Sequence, residues 1–283
     1  MFNVSRLDRF IGFDSDYEDS DIVLVGAPFD GTVSYRPGTR FAPIAVRTES
    51  YGLETYSPYM DMDLEDYKLS DIGDIEFPFG NKEATLSSIK TVTEEILADG
   101  KKPLVIGGEH LISYPVVESL YEKYPDLHIV HFDAHTDLRD EYMGETLSHA
   151  TVLKRIWDVV GDGKIYQFGI RSGTRDEFEW AEDHTYLEKF SVDTLSSKIE
   201  ELKGKPIYLT VDLDVLDPSI FSGTGTPEPG GIIMKELLDS FVSMKGLNFV
   251  GADVVELSPH YDISGVSTAV ACKVIREVAM LLA

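Results

Sequence analysis

Short apolar, β-branched runs alternate with longer amphipathic stretches along most of the chain, and the two periodicities select different elements. Asp21–Ala27, Lys68–Ile72, Pro103–Gly107, Leu127–Asp133, Lys164–Ile170, a weaker Tyr186–Lys189, Pro206–Asp212 and Asn248–Glu256 read as strands. Helical spacing predicts helices over Lys82–Ala98, Leu111–Tyr124, about Ser148–Val160, near Thr174–Asp183, Val192–Leu202, Ile233–Lys245 and Gly265–Leu282. Alternation of this kind is the pattern of a parallel sheet covered by helices. No repeat, linker or low-complexity tract interrupts it, so the reading is one α/β domain over residues 1–283 with eight strands, mostly parallel. After the first strand, a Gly/Pro-punctuated stretch to about Tyr59 reads as loop with a short helix near Pro43–Glu49. So long a loop in a compact domain usually has a functional reason.

Charge narrows the partners. The chain carries 50 acidic against 25 basic residues, a formal net charge of −25. Such a field repels nucleic acid and anionic membrane and draws in cations, metal ions or a cationic substrate among them. Cys272 is the only cysteine, which excludes an intrachain disulfide, a cysteine metal cluster and a Cys-X-X-Cys redox motif. Met1 to Asp21 offers no apolar stretch long enough for a signal sequence, and no transmembrane-length segment follows, so a soluble cytoplasmic protein is expected.

Ligands in open α/β sheets gather at the carboxyl ends of strands, and four such ends here are unusually polar. Gly107 is followed by Gly108-Glu109-His110, Asp133 by Ala134-His135-Thr136-Asp137, Asp212 by Leu213-Asp214, and the last strand ends on Glu256. Asp133, His135 and Asp137 are spaced by two, as are Asp212 and Asp214, so an extended backbone would project each set from one face. Two imidazoles and four carboxylates cannot converge without a cation, because adjacent carboxylates repel and burial adds to the cost. Two divalent ions remove the difficulty, and nitrogen and oxygen ligands without thiolate suit manganese better than zinc. The competing reading is that Asp-X-Asp before a turn is a cap or turn former, and Asp217-Pro218 supports some turn role.

The motifs Gly107-Gly108-Glu109-His110, Phe132-Asp133-Ala134-His135-Thr136-Asp137, Leu209 to Pro218 and Gly223-Thr224-Gly225-Thr226-Pro227-Glu228-Pro229-Gly230-Gly231 resemble the signatures of the ureohydrolases, the family of arginase, agmatinase and relatives. The resemblance runs from Val25 to the C-terminal helix. It implies a three-layer α/β/α sandwich and two Mn2+ ions per subunit, one held by His110, Asp133, Asp137 and Asp212, the other by Asp133, His135, Asp212 and Asp214. Asp133 and Asp212 would bridge, with a hydroxide between the ions as nucleophile toward a guanidinium carbon. It also implies that His149 is a proton shuttle, for which a pKa near neutrality is expected, that Glu256 binds the guanidinium, and that the protein is a homo-oligomer, a trimer or hexamer.

Within that family the stretches Gly26 to Gly31 and Tyr35 to Pro43 are most similar to agmatinases, and the loop Leu138 to Tyr142 lacks the Asn and Ser by which arginases usually hold an amino acid's α-substituents. The implied substrate is the small cationic guanidino compound agmatine. Arg139 leaves open a guanidino acid such as guanidinobutyrate, or arginine, unless it is a surface residue paired with Asp140 or Glu141. A catalytically inactive metal-binding interaction protein is the reading from another class, and none of the implied site residues is missing to favour it. His131, beside Asp133 on the pleat, is a candidate supporting residue.

Overall fold

The computed structural model describes residues 8–283. The expectation of no apolar leader falls partly on residues 1–7, which lie outside the described residues. Ten strands are present among the described residues: β1 (Ile22–Ala27), β2 (Tyr56–Ser57), β3 (Met62–Asp63), β4 (Leu69–Asp74), β5 (Lys102–Gly107), β6 (His128–Phe132), β7 (Ile165–Ile170), β8 (Tyr186–Lys189), β9 (Ile207–Asp212) and β10 (Phe249–Val255). The α-helices are α1 (Ala42–Glu49), α2 (Lys82–Ala98), α3 (Ser113–Lys123), α4 (Val152–Val160), α5 (Arg175–His184), α6 (Leu195–Leu202), α7 (Met234–Ser243) and α8 (Val266–Leu282).

Eight strands form one sheet in the order β4-β1-β5-β10-β9-β6-β7-β8, and every pairing in it is parallel. Successive side chains of a strand leave by opposite faces. Ile22, Leu24, Val130, Phe132, Leu209 and Val211 therefore join one core with α1, α6, α7 and α8, while Val23, Val25, Ile129 and Tyr208 join a second with α2, α3 and α4. Each large apolar side chain fully removed from water contributes about 1.5–3 kcal/mol before entropy is counted. Cover on both faces is why the strands read as continuous apolar runs. The polar exceptions inside them, His131, Gln167, Thr210 and Asp253, are fully buried. No helix among the described residues is long and apolar enough to cross a membrane.

Three local features depart from the sequence reading. The long loop after β1 contains the small antiparallel pair β2 and β3, turned through Asp61 with its positive φ of 51°. The helix expected from Leu111 begins as a 3-10 turn over His110–Ile112, and that expected at Ser148 as one over His149–Thr151. In both cases the tight turn delivers a histidine before the α-helix takes over.

Candidate metal centre and substrate pocket

The strands β5, β10, β9 and β6 are neighbours at the middle of the sheet, and the segments at their carboxyl ends bring seven expected site residues together, while the 3-10 turn before α4 adds His149 to the same pocket. His110 lies three residues past β5, Glu256 one past β10, Asp212 ends β9 with Asp214 in the following turn, and Asp133 follows β6. His110 Nδ1 stands 3.1 Å from Asp133 Oδ2, 3.2 Å from Asp137 Oδ2 and 3.4 Å from Asp212 Oδ2. His135 Nδ1 stands 3.1 Å from Asp214 Oδ2 and 3.4 Å from Asp133 Oδ1.

The convergence does not come from an extended pleat. β6 stops at Phe132, and Asp137 is in the left-handed region with φ 53°. Asp133 Oδ1 accepts the His135 N–H at 2.6 Å, Asp212 Oδ1 accepts the Asp214 N–H at 2.9 Å, and Asp214 Oδ1 accepts the Ala134 N–H at 3.1 Å. Each of these carboxylates thus accepts a backbone N–H on Oδ1 and turns Oδ2 toward an imidazole, Asp133 facing His135 with Oδ1 as well. The two readings of Asp-X-Asp, turn former and ligand, describe two atoms of the same side chain. Asp217 is a turn former only: its carboxylate accepts from the backbone of Ser219, Gly230 and Gly231.

Hydrogen bonds behind the cluster set the tautomers. Thr210 donates its hydroxyl proton to Asp253 Oδ1 at 2.6 Å, so toward His110 Nε2, 2.9 Å away, it can only accept. His110 therefore keeps a proton on Nε2, so the atom left to bind a cation or to take a second proton is Nδ1, buried without a hydrogen-bond partner. A buried imidazole nitrogen facing three carboxylate oxygens fits a divalent cation, which would take the place of the proton those carboxylates otherwise hold there. His131 is different, although its atoms fall within 4.8 Å of those of His110 and Asp133. Gln167 accepts from Thr185 at Oε1, and its Nε2 donates to Thr136 O and to His131 Nδ1. His131 is left with Nε2–H, which donates to Asp133 Oδ2 at 2.8 Å. It orients a carboxylate and has no lone pair to give.

The metal-free charges are heavily perturbed. Burial alone would lower His110 and His135, but the surrounding aspartates hold both well above the usual imidazole value. Burial and the Asp133 charge raise Asp137 to about 7, while burial with Asp214 and Asp133 raises Asp212 well above the carboxylate range. Asp133 goes the other way, since the imidazoles of His110, His131 and His135 outweigh its burial.

Glu256 and His149 flank a cavity of about 260 Å³ that also reaches His135, Asp137, Asp212 and Thr226. Glu256, with φ 65°, accepts the His110 N–H on Oε1 at 2.8 Å, and burial together with Glu109 raises its pKa well above the usual range. Burial pushes His149 down to about 4, below the neutrality expected from sequence, so its ring is uncharged at neutral pH. Arg139 also lines the cavity. It is not paired with Asp140 or Glu141: its Nε lies 3.4 Å from Glu177 Oε2 and its guanidinium sits over the Tyr142 ring at 4.5 Å.

Sequence reasoning passed over Thr210, Gln167, Asp253 and Arg171. The first three carried a signal, a polar residue within an apolar strand. Arg171 had none; it donates to the carbonyls of Asp214, Val215 and Glu228 and so ties the loop bearing Thr226 to the end of β9.

Comparison with known proteins agrees with this geometry. The chain is 49% identical over 275 residues to an agmatinase of Bacillus anthracis, covering 96% of this chain and 95% of that protein. It is 33% identical to a mitochondrial guanidino acid hydrolase of Homo sapiens over 94% of this chain and 79% of the human protein. The crystal structure of the agmatine ureohydrolase of Thermoplasma volcanium superposes with a TM-score of 0.89 at 32% identity, covering 99% and 95% of the two chains. Residues 20–281 match the model of the arginase family, and the chain belongs to that family of binuclear metal enzymes.

Proposed function

We infer that the chain hydrolyses agmatine to urea and putrescine, with two manganese ions held by His110, Asp133, His135, Asp137, Asp212 and Asp214. The buried His110 Nδ1 amid three carboxylate oxygens carries the reading, because a single proton there offsets less of the repulsion among those carboxylates than a divalent cation would. When bound, two divalent cations would lower the pKa of a water and polarise the substrate carbon. Asp133 and Asp212, each central to the cluster, are assigned as the shared ligands.

Glu256 orients the substrate: a buried carboxylate beside a planar guanidinium forms paired charge-assisted bonds. Its backbone, strained into the left-handed region, is held by the N–H donated to Gly108 O, and its Oε1 by the His110 N–H it accepts. His149, neutral at working pH, has a lone pair free to take the proton of the attacking water and return it to the departing amine. Overall one water is consumed, a C–O bond forms, one C–N bond breaks, and both protons of the water end on the amine, which leaves as an ammonium while urea is neutral.

Arg139 favours a second reading, a guanidino acid as substrate, which the name of the human relative also suggests. Its pairing with Glu177 and stacking on Tyr142 support agmatine instead, since the charge already has a partner. Urea release from agmatine, arginine and guanidinobutyrate with added manganese tests this, with agmatine expected fastest. A higher kcat/KM for guanidinobutyrate, lost selectively in Arg139→Ala, overturns it. A cytoplasmic trimer or hexamer completes the reading, supported by a single buried thiol and by the exposed apolar side chains Phe79, Met143 and Ile263; light scattering tests the assembly.

A further inference from the structure

The loop after β1, long and without periodicity, lines the pocket at Ser34 and brings two hydroxyls to His149. Thr32 Oγ1 accepts the His149 backbone N–H at 3.1 Å and lies 3.5 Å from His149 Nδ1, while Ser34 Oγ lies 3.3 Å from Nε2. Thr32 is itself clamped. Its backbone N–H donates to Glu109 Oε2 at 2.8 Å and its hydroxyl donates to Glu109 Oε1. Glu109 is fully buried, and its own N–H donates to Phe29 O at 2.7 Å, so the clamp is anchored in the strand end that also delivers His110.

A hydroxyl has one proton and two lone pairs. The proton of Thr32 is committed to Glu109, which leaves two acceptor sites for two donors, the His149 N–H and a proton on His149 Nδ1. We propose that Thr32, held by Glu109, is a positioning residue that fixes His149 as the Nδ1–H tautomer and so keeps the proton-accepting lone pair on Nε2, the nitrogen faced by the Ser34 hydroxyl. The inference rests on His149 carrying the proton in the reading above. It assigns to the β1 loop a reason for its length and to Glu109 a role separate from metal binding.

The test is a cycle of Thr32→Val, His149→Ala and the double variant, with Thr32→Ser beside it, each assayed for kcat, KM and metal content. Outer partners of this kind usually cost on the order of 10–100-fold when removed. Thr32→Val should lower kcat by that factor with KM and metal content held, Thr32→Ser should recover turnover to within about threefold, and Thr32→Val should add nothing in the His149→Ala background. Full turnover in Thr32→Val, an additive loss in the double variant, or no recovery by serine in a folded protein overturns the positioning role while leaving His149 in place. Undiminished turnover in His149→Ala overturns the proton-carrier reading itself, and the inference with it.

Discussion

Protons and metal ions should compete for the cluster, and Asp137 sets a lower limit on how strongly. Its carboxyl is raised to about 7 in the metal-free protein, by burial first and by the Asp133 charge second. A ligand must give up its proton to bind, so affinity is full above that value and falls as pH drops through it. For one group titrating near 7, the apparent affinity between about pH 8 and pH 6 falls about tenfold, or about 1.4 kcal/mol. His110 and His135, held well above their usual value by the aspartates, must also lose protons, so the measured fall should be steeper than tenfold. Competition against a fluorescent chelator across this range gives the slope, and calorimetry in buffers of different ionisation enthalpy counts the protons released. An affinity that is flat from pH 8 to 6, with no proton release, would refute the placement of Asp137 in the cluster. Asp137→Asn should bind more weakly at pH 8 and lose part of the pH dependence.

Three further outcomes are expected. Asp133→Asn or Asp212→Asn should abolish turnover and lower metal content at both sites, because each faces the centre of the cluster; two ions per chain with full activity, by elemental analysis, would exclude the bridging assignment. Gly108→Ala should destabilise the fold by about 1–3 kcal/mol in denaturant titration, since a Cβ there would lie 1.9 Å from the Phe29 carbonyl oxygen, where neither backbone can yield. Cys272 is fully buried with its thiol pushed up to about 12 by that burial, so it should resist a thiol reagent in the native state and react fully once the chain is unfolded.

The fold was legible because two-sided burial writes itself into composition. Strands covered by helices on both faces must be apolar throughout, and Ile22–Ala27 or Ile207–Tyr208-Leu209 cannot be much else. The edge strand Tyr186–Lys189 was weaker in sequence for the same reason, being half-open to solvent. The convergence of His110, Asp133, His135, Asp137, Asp212 and Asp214 was legible from chemistry, since dense carboxylate and imidazole at strand ends has few other uses. What sequence left hidden was geometry set by hydrogen bonds between distant residues. Nothing local marks Thr32 as a neighbour of His149, or Glu177 as the partner of Arg139, because those pairs form only when segments distant in the chain, 117 residues apart for the first, fold together. The β2–β3 pair was invisible because two-residue strands carry no periodicity.

The strain at the site explains why those loops are held so firmly. Among the described residues only five other than glycine have positive φ, and two of them, Asp137 and Glu256, line the pocket. A non-glycine residue in that region costs on the order of 1–3 kcal/mol. Glycine would relieve the cost but would remove the carboxylate, so the conformation must be imposed from outside. It is imposed by backbone pairing: the Glu256 N–H donates to Gly108 O at 3.0 Å, and the Asp137 carbonyl accepts from Leu153 and Lys154 at the start of α4. The same strand ends that supply the ligands therefore hold the strained residues, and α4, which follows the His149 turn, braces Asp137. Glu256, Asp137 and His149 are consequently fixed to one another through the backbone before any ligand arrives, which, in the roles proposed for them, is the condition for aligning water and guanidinium without reorganisation.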